Sequence, residues 1–289
     1  MLRVLKQAFK TGVLTNKFPA VQSQPPKEFQ GKPVVDFEHC TTGDISADAC
    51  PTGALSFEKR QKSGKWSAEL TLDYGKCIFC GECALASPGT ITIARELPLP
   101  TTDKGSLTSR ARYHKSRAKR WEYVETMPVP EPALDGTLRN GSFDVLGMSV
   151  KEAAQRIFGR SLHIREVDAG SCNGCEIEIT SLNNPLYDIE RFGVHFVASP
   201  RHADMLLVTG PVTRNMAIAL RQTFDAAPDP KLVIAVGACG ISGGIFEQTY
   251  ASCGGVDTVV PVDVYIPGCP PGPEALLRGI LLALNRWPE

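Results

Sequence analysis

Apolar and polar positions change rhythm several times along the chain. From residue 149 a helical SVKEAAQRIF (149–158) leads into a strand-like LHIREV (162–167), then an apolar-periodic stretch, then VHFVAS (194–199) and ADMLLVTG (203–210). A helical NMAIALRQTF (215–224), a continuous apolar run LVIAVG (232–237) and VDVYIPG (262–268) follow. The last helix opens near Pro273 and puts Leu276, Leu277, Ile280, Leu281 and Leu284 on one stripe. Strands that are apolar throughout are buried on both faces, and strands alternating with helices pair in parallel. Residues 149–289 are therefore expected to form an α/β, doubly wound parallel sheet.

The first half reads differently. Residues 31–97 hold short apolar runs between turn residues, a core too small to stand without a staple, and predict a small α+β domain. Residues 98–148 contain Pro98, Pro100, Pro128, Pro130 and Pro132 without sustained periodicity and predict a linker. Within it Lys104, Arg110, Arg112, Lys115, Arg117, Lys119 and Arg120 occur with no acidic residue between them. Anionic headgroups or RNA are one reading of that run. A solvated or partner-facing tail is favoured, and no nucleic-acid partner is expected. Over 1–30, Leu2, Leu5, Phe9 and Val13 recur at helical spacing beside Arg3, Lys6 and Lys10. This predicts an amphipathic N-terminal arm that lies on a membrane surface, docks on a partner or packs on its own chain.

Composition narrows the class. A length of 289 residues suits two domains, and 43% apolar residues exclude wholesale disorder. The 31 basic and 31 acidic residues cancel, so no global field recruits nucleic acid. No apolar run reaches the roughly 18 residues of a membrane span, and MLRVLKQAFK lacks the apolar stretch and cleavage site of a secretory signal. An intracellular compartment is expected, where ten cysteines are too many unless most hold metal.

Bacterial ferredoxins write their ligands as C-x2-C-x2-C-x3-C-P, with the fourth cysteine serving the other cluster. In KCIFCGECALASPGTI, Cys77, Cys80 and Cys83 fill three positions, and Ser87-Pro88 stands at the fourth. In HCTTGDISADACPTGAL, Cys40 fills the first position and Cys50-Pro51 the fourth, with Gly43 and Ser46 between. Crossing the two motifs completes one set, Cys50, Cys77, Cys80 and Cys83, and leaves the other with Cys40 alone. The first half is thus expected to be a ferredoxin-like domain with one [4Fe-4S] cluster. Zinc is the weaker reading of the same thiolates, and Cys40 is expected to be a plain core or surface thiol.

A second set stands at strand ends. Cys172 and Cys175 follow LHIREV in GSCNGCEIEI, Cys239 follows LVIAVG, and Cys269 follows VDVYIPG. Open α/β sheets gather their ligands at the carboxyl ends of the strands. Gly170, Gly174, Gly237, Gly240, Gly243, Gly244 and Gly268 allow backbone to approach sulfur closely. A second [4Fe-4S] cluster is expected here. No phosphate-binding GxxxxGK[ST] is present, and a thioredoxin-like role for Cys172 and Cys175 is disfavoured by the two further strand-end cysteines. Cys253 is expected to stay unligated. Glu176 relays protons, caps a helix or pairs with an arginine, and His163 and His195 are expected to pack. Arg201, His202 and Asp204 follow a strand.

Through GSCNGCEIEI, SPRHADMLLVTG, GACGISGGIF and VPVDVYIPGCPP, residues 160–287 resemble the small subunit of membrane-associated [NiFe] hydrogenases of the formate hydrogenlyase type, relatives of the 20 kDa cluster subunit of respiratory complex I. Through KTGVLTNKFP, the GKP at 31–33 and CIFCGEC, residues 1–97 resemble the ferredoxin subunit of such complexes. The resemblance implies a fusion of two subunits. It implies that Cys172, Cys175, Cys239 and Cys269 hold the cluster beside a nickel–iron centre in a partner large subunit. It also implies electron transfer with a ferredoxin-like or formate dehydrogenase-linked donor, further peripheral-arm and membrane-arm subunits, and a peripheral place on the cytoplasmic face of the cell membrane. The Cys172-x2-Cys175 spacing is like the hydrogenase branch, since complex I homologues carry two adjacent cysteines there. A related quinone or sulfur-compound reductase lacking nickel–iron is the alternative. No residue of this chain is implied as a catalytic acid, base or nucleophile.

Overall fold

The computed structural model describes residues 6, 29–40, 46–62, 64–117, 120–127, 135–247 and 249–287. The amphipathic arm expected over 1–30 lies outside them except for Lys6, Phe29 and Gln30. In chain order the first half gives β1 (Pro33–Val35), β2 (Leu55–Lys62), β3 (Lys65–Asp73), a short helix α1 (Glu82–Ala86), β4 (Ile91–Ile93), β5 (Thr108–Lys115) and β6 (Trp121–Met127). β1 pairs antiparallel with β4. The other four strands form an antiparallel sheet in the order β2-β3-β5-β6.

Two of those four strands come from the stretch expected as a linker, which corrects that expectation. The physical reason lies in a short period-2 pattern that the basic residues hide. Along β5, Ala111 and Tyr113 face inward and are buried, whereas Arg110, Arg112 and His114 face outward. The basic residues are therefore the wet face of a strand. Arg112 pairs with Glu125 and His114 with Glu122 across the β5–β6 ladder. Tyr113 packs edge-on against Phe57, and its hydroxyl donates to the Phe37 carbonyl.

The second half gives α2 (Gly136–Asn140), α3 (Phe143–Phe158), β7 (Leu162–Asp168), α4 (Gly174–Ser181), β8 (Val194–Phe196), β9 (Met205–Thr209), α5 (Arg214–Ala226), β10 (Leu232–Val236), α6 (Gly237–Ser242), β11 (Val264–Ile266) and α7 (Pro273–Leu284). The strands read from sequence all form, in one five-stranded sheet ordered β8-β7-β9-β10-β11 and parallel throughout. Counted from β7, that order is 2-1-3-4-5, the doubly wound arrangement whose strand order reverses between β7 and β9.

Strand alternation builds two cores. Met205, Leu207, Ile234 and Val236 point to one face, against α3, α4 and α7. Leu206, Val208, Val233 and Ala235 point to the other, with Leu220 of α5 and Ile241 of α6. Arg160 and Asp204 join the starts of β7 and β9. The guanidinium makes two bonds to the carboxylate at 2.8 and 2.9 Å, and Asp204 also accepts from the His163 amide.

The two halves touch directly. Thr101 bridges to Tyr265 beside β11 in an antiparallel contact. Lys104 pairs with Asp257 at 2.7 Å, and Lys76 with Glu247 at 2.8 Å.

Candidate metal centres

At the first set, Cys50 ends a 3-10 turn (Ala47–Ala49) just before β2. Cys77 and Cys80 occupy the loop after β3, and Cys83 lies in α1. The loop is tightly bent. Phe79 sits at φ 55, and Gly81, which precedes α1, at φ 79. All four cysteines line one recess, whose other walls include Pro33, Ala54, Leu72 and Phe79. Backbone amides point at two of them: Phe79 N–H donates to Cys77 Sγ at 3.3 Å and Leu55 N–H to Cys50 Sγ at 3.5 Å. Burial pushes the Cys77 thiol up to about 12, with smaller contributions from Cys83, Cys50 and Cys80. Four thiolates in so apolar a place need a cationic centre to be stable. The donor set fits an iron–sulfur cluster.

Two non-cysteine positions of the motifs meet beside it. Ser46, a ligand position of the incomplete set, donates its amide to the hydroxyl of Ser87, the fourth position of the other motif, at 3.1 Å. Ser87 is fully buried. Cys40 is a buried member of the core with Val35, Leu70 and Ile91, while Gly43 lies outside the described residues.

The second set gathers at the carboxyl edge of the parallel sheet. The Asp168 carboxylate accepts from the Gly170 and Ser171 amides, which fixes the loop that carries Cys172. Cys175 stands in the first turn of α4, Cys239 in α6 and Cys269 immediately after the loop beyond β11. Ala238 N–H donates to the Gly268 carbonyl at 2.8 Å and ties the last two loops together. Gly237 adopts φ +78, and a Cβ there would lie 2.7 Å from Cys175 Sγ. Only glycine leaves that space to sulfur. Burial raises the Cys175 thiol well above its ordinary value, followed by Glu176, Cys239, Cys269 and Cys172. Burial likewise pushes Cys239 up to about 12, with Cys269 and Cys172 adding to it. The residues present again suit a cluster held by four thiolates.

Among the described residues no three His, Cys, Asp or Glu side chains close round a single ion. A cubane asks for a different geometry, because its four thiolates bind four different irons.

Two features were not legible in the sequence. Cys269 is raised by burial, then by Cys172, and then by the charge of Cys80 of the other set. The Lys76–Glu247 pair fastens the residue before Cys77 to the segment after α6. Glu176 is buried, and neither carboxylate oxygen has a hydrogen-bond partner among the described residues. The two ordinary uses of such a residue, helix cap and arginine partner, are both unmet. Glu166 on β7 is raised by burial and by the charge of Glu176.

The remaining polar residues have plainer roles. His163 and His195 are register partners whose rings meet edge-on at 6.3 Å, a packing pair. Arg201 and His202 are exposed in a 3-10 turn, and Cys253 packs partly buried against the core on the α5 side of the sheet.

Residues 172–283 match the family model of the 20 kDa subunit of NADH ubiquinone oxidoreductase. Formate hydrogenlyase subunit 7 of Escherichia coli K12 is 54% identical over 137 residues, covering 47% of this chain and 54% of that protein. The chain thus spans about half the length of that relative. A probable membrane-bound hydrogenase subunit of Pyrococcus furiosus is 50% identical over 131 residues, covering 45% of this chain and 78% of that one. A solved structure of a membrane-bound sulfane sulfur reductase, an archaeal respiratory membrane complex, aligns at 40% identity and a TM-score of 0.40, over 48% of this chain and 74% of its own. Among the described residues no helix is long and apolar enough to cross a membrane. The chain belongs to the family of the 20 kDa complex I subunit and its hydrogenase relatives, iron–sulfur subunits of oxidoreductase complexes.

Proposed function

We propose that this chain is the electron-transfer subunit of a membrane-bound, formate hydrogenlyase-like [NiFe] hydrogenase. Two [4Fe-4S] clusters would supply one-electron transfer to or from nickel–iron carried by a partner large subunit. Cys50, Cys77, Cys80 and Cys83 hold the first and Cys172, Cys175, Cys239 and Cys269 the second. The observation that carries the reading is the pair of four-cysteine sets, one lining a single recess and the other at the carboxyl ends of the parallel strands. Two complete thiolate sets within one chain are what a relay of two clusters requires. The protein's own part is to position the thiolates, with Cys77 and Cys83 buried, Cys50, Cys175 and Cys239 half-buried and Cys80, Cys172 and Cys269 exposed, and to aim amides at them, levers that set a cluster's potential.

The proposed division is a ferredoxin-like part beginning at residue 31, to which β5 and β6 add their hairpin, and the hydrogenase-type part over 149–289. Further peripheral-arm and membrane-arm subunits and a ferredoxin-like or formate dehydrogenase-linked donor complete the proposed assembly, on the cytoplasmic face. The Cys172-x2-Cys175 spacing supports hydrogenase over a quinone or sulfur-compound reductase.

The test is iron analysis and EPR on the anaerobically purified, reduced chain. About eight irons per chain are expected from two cubanes. Cys77→Ser and Cys172→Ser are expected to remove different signals. If either substitution leaves both signals intact, or zinc replaces iron, the reading fails. Hydrogen-dependent dye reduction after co-expression with the large subunit separates hydrogenase from reductase.

A further inference from the structure

The relay does not account for the far end of the four-stranded sheet. Segments 59–68 and 115–121 hold eight Lys or Arg and no acidic residue. The β3–β5 register pairs Ser67 with His114, which brings the β2–β3 tip and the β5–β6 tip to the same end of the sheet. Glu58 through Lys62 and Lys65 through Ser67 are all exposed, so the β2–β3 tip projects into solvent. Lys62 and Lys65 are register partners directly across that tip. Like charges in that position oppose the hairpin, so folding does not select them. Among the described residues none of Lys62, Lys65, Arg117 and Arg120 has an acidic partner within 4 Å, although Arg60, Arg112 and His114 each have one. Trp66 stands among these cations 40% exposed, with the Lys115 ammonium 5.5 Å over its ring.

We propose that the two hairpin tips form a docking surface for anionic phospholipid headgroups. Uncompensated Lys and Arg beside an exposed Trp match the charge and polarity of a lipid interface, where cations meet phosphate and an indole rests at headgroup level. The tip is not an electron entry. Cys50 and Cys77 lie at the opposite end of β2 and β3, and the nine residues of β3 span about 25 Å. Tunnelling falls exponentially with distance, so a donor seated at the tip would be badly placed. The surface is an anchor that holds the cysteine end of the sheet away from the bilayer. It goes beyond the relay described above and does not depend on which reaction the partner performs.

The test is co-sedimentation of the full, cluster-loaded chain with phosphatidylcholine vesicles, with and without phosphatidylglycerol. Binding is expected only with the anionic lipid and is expected to vanish near 1 M salt, where the screening length falls to about 3 Å. Each basic residue at the surface contributes roughly fivefold in affinity. The quadruple variant Lys62→Gln, Lys65→Gln, Arg117→Gln, Arg120→Gln is therefore expected to bind at least about tenfold more weakly. Lys151→Gln with Arg156→Gln on the exposed side of α3 is expected to change nothing. Equal binding to neutral vesicles, or an unchanged affinity in the quadruple variant, overturns the proposal. Tighter binding to a single-stranded RNA oligomer than to anionic vesicles assigns the patch to nucleic acid and overturns it too. Iron content and EPR keep the two readings apart. A two-cluster chain that ignores anionic vesicles refutes only the docking surface, and a vesicle-binding chain without clusters refutes only the relay.

Discussion

Gly237→Ala tests the second centre at its tightest point. The new methyl would lie 2.7 Å from Cys175 Sγ and 3.4 Å from the Gly268 carbonyl oxygen, and the backbone would still have to hold φ +78. A left-handed conformation costs a non-glycine residue about 1–2 kcal/mol, and overpacking a filled site adds about 1–3 kcal/mol. Relief comes only by moving sulfur or the Gly268 loop, and either displaces a proposed ligand. A penalty of about 3 kcal/mol lowers occupancy of the centre by roughly a hundredfold. The assay is iron per chain and EPR of the reduced, anaerobically purified variant. Iron is expected to fall by half, with the signal that Cys77→Ser removes retained and the signal that Cys172→Ser removes lost. Gly272→Ala is the control, since it lies in the next loop at φ −73 with nothing within 4 Å of its Cβ position. It is expected to keep both signals. A Gly237→Ala chain with full iron and both signals unaltered would refute the argument that glycine is there to admit sulfur.

Asp204→Asn breaks the paired bonds to Arg160 and weakens the acceptor for the His163 amide. Because Arg160 is half-exposed, the cost is expected at about 1–3 kcal/mol, read by urea denaturation of the variant against Asp204. Tyr74 donates its hydroxyl to the Pro33 carbonyl, and burial pushes its pKa up to about 12 from 10.0, with smaller contributions from Cys77, Glu96 and Cys83. The folded pKa is raised, so this contribution is complete below pH 10 and is lost as pH rises toward 12. Tyr74→Phe is expected to flatten the stability-against-pH curve in that window, and an unchanged slope would count against the assignment. Cys40→Ala removes a buried sulfur without removing a proposed ligand. It is expected to keep both EPR signals and lower stability by about 1 kcal/mol, and loss of either signal would make Cys40 a ligand.

Much of the second half was legible in the residues because its signals are local. LVIAVG is apolar at every position, the pattern of a strand buried on both faces, and Leu232–Val236 is such a strand. The doubly wound class and the placing of Cys172, Cys175, Cys239 and Cys269 after strands follow from the same periodicity. The linker reading of 98–148 failed where the signal was weakest. In β5 only Ala111 and Tyr113 face the core, and a dense run of cations masks their alternation. What buries those two residues is pairing with Leu70 and Ala68, more than forty positions earlier.

Spacing rules could count two sets of four thiols, since a motif is a property of neighbouring residues. They could not say where the sets lie in space. Cys80 and Cys269 are 189 positions apart in the chain, and the two halves that carry them are joined by the Thr101–Tyr265 bridge, the Lys76–Glu247 and Lys104–Asp257 pairs and the packing of Leu107 and Tyr74 with Ile241. The same holds for the basic run, which by composition alone was a solvated tail. Its junction with Lys62 and Lys65 depends on strand register, a long-range relation that no local pattern encodes. Sequence determined the chemistry each loop offers. Tertiary structure decided which loops share it, because proximity between distant residues is created by packing and pairing rather than by the residues themselves.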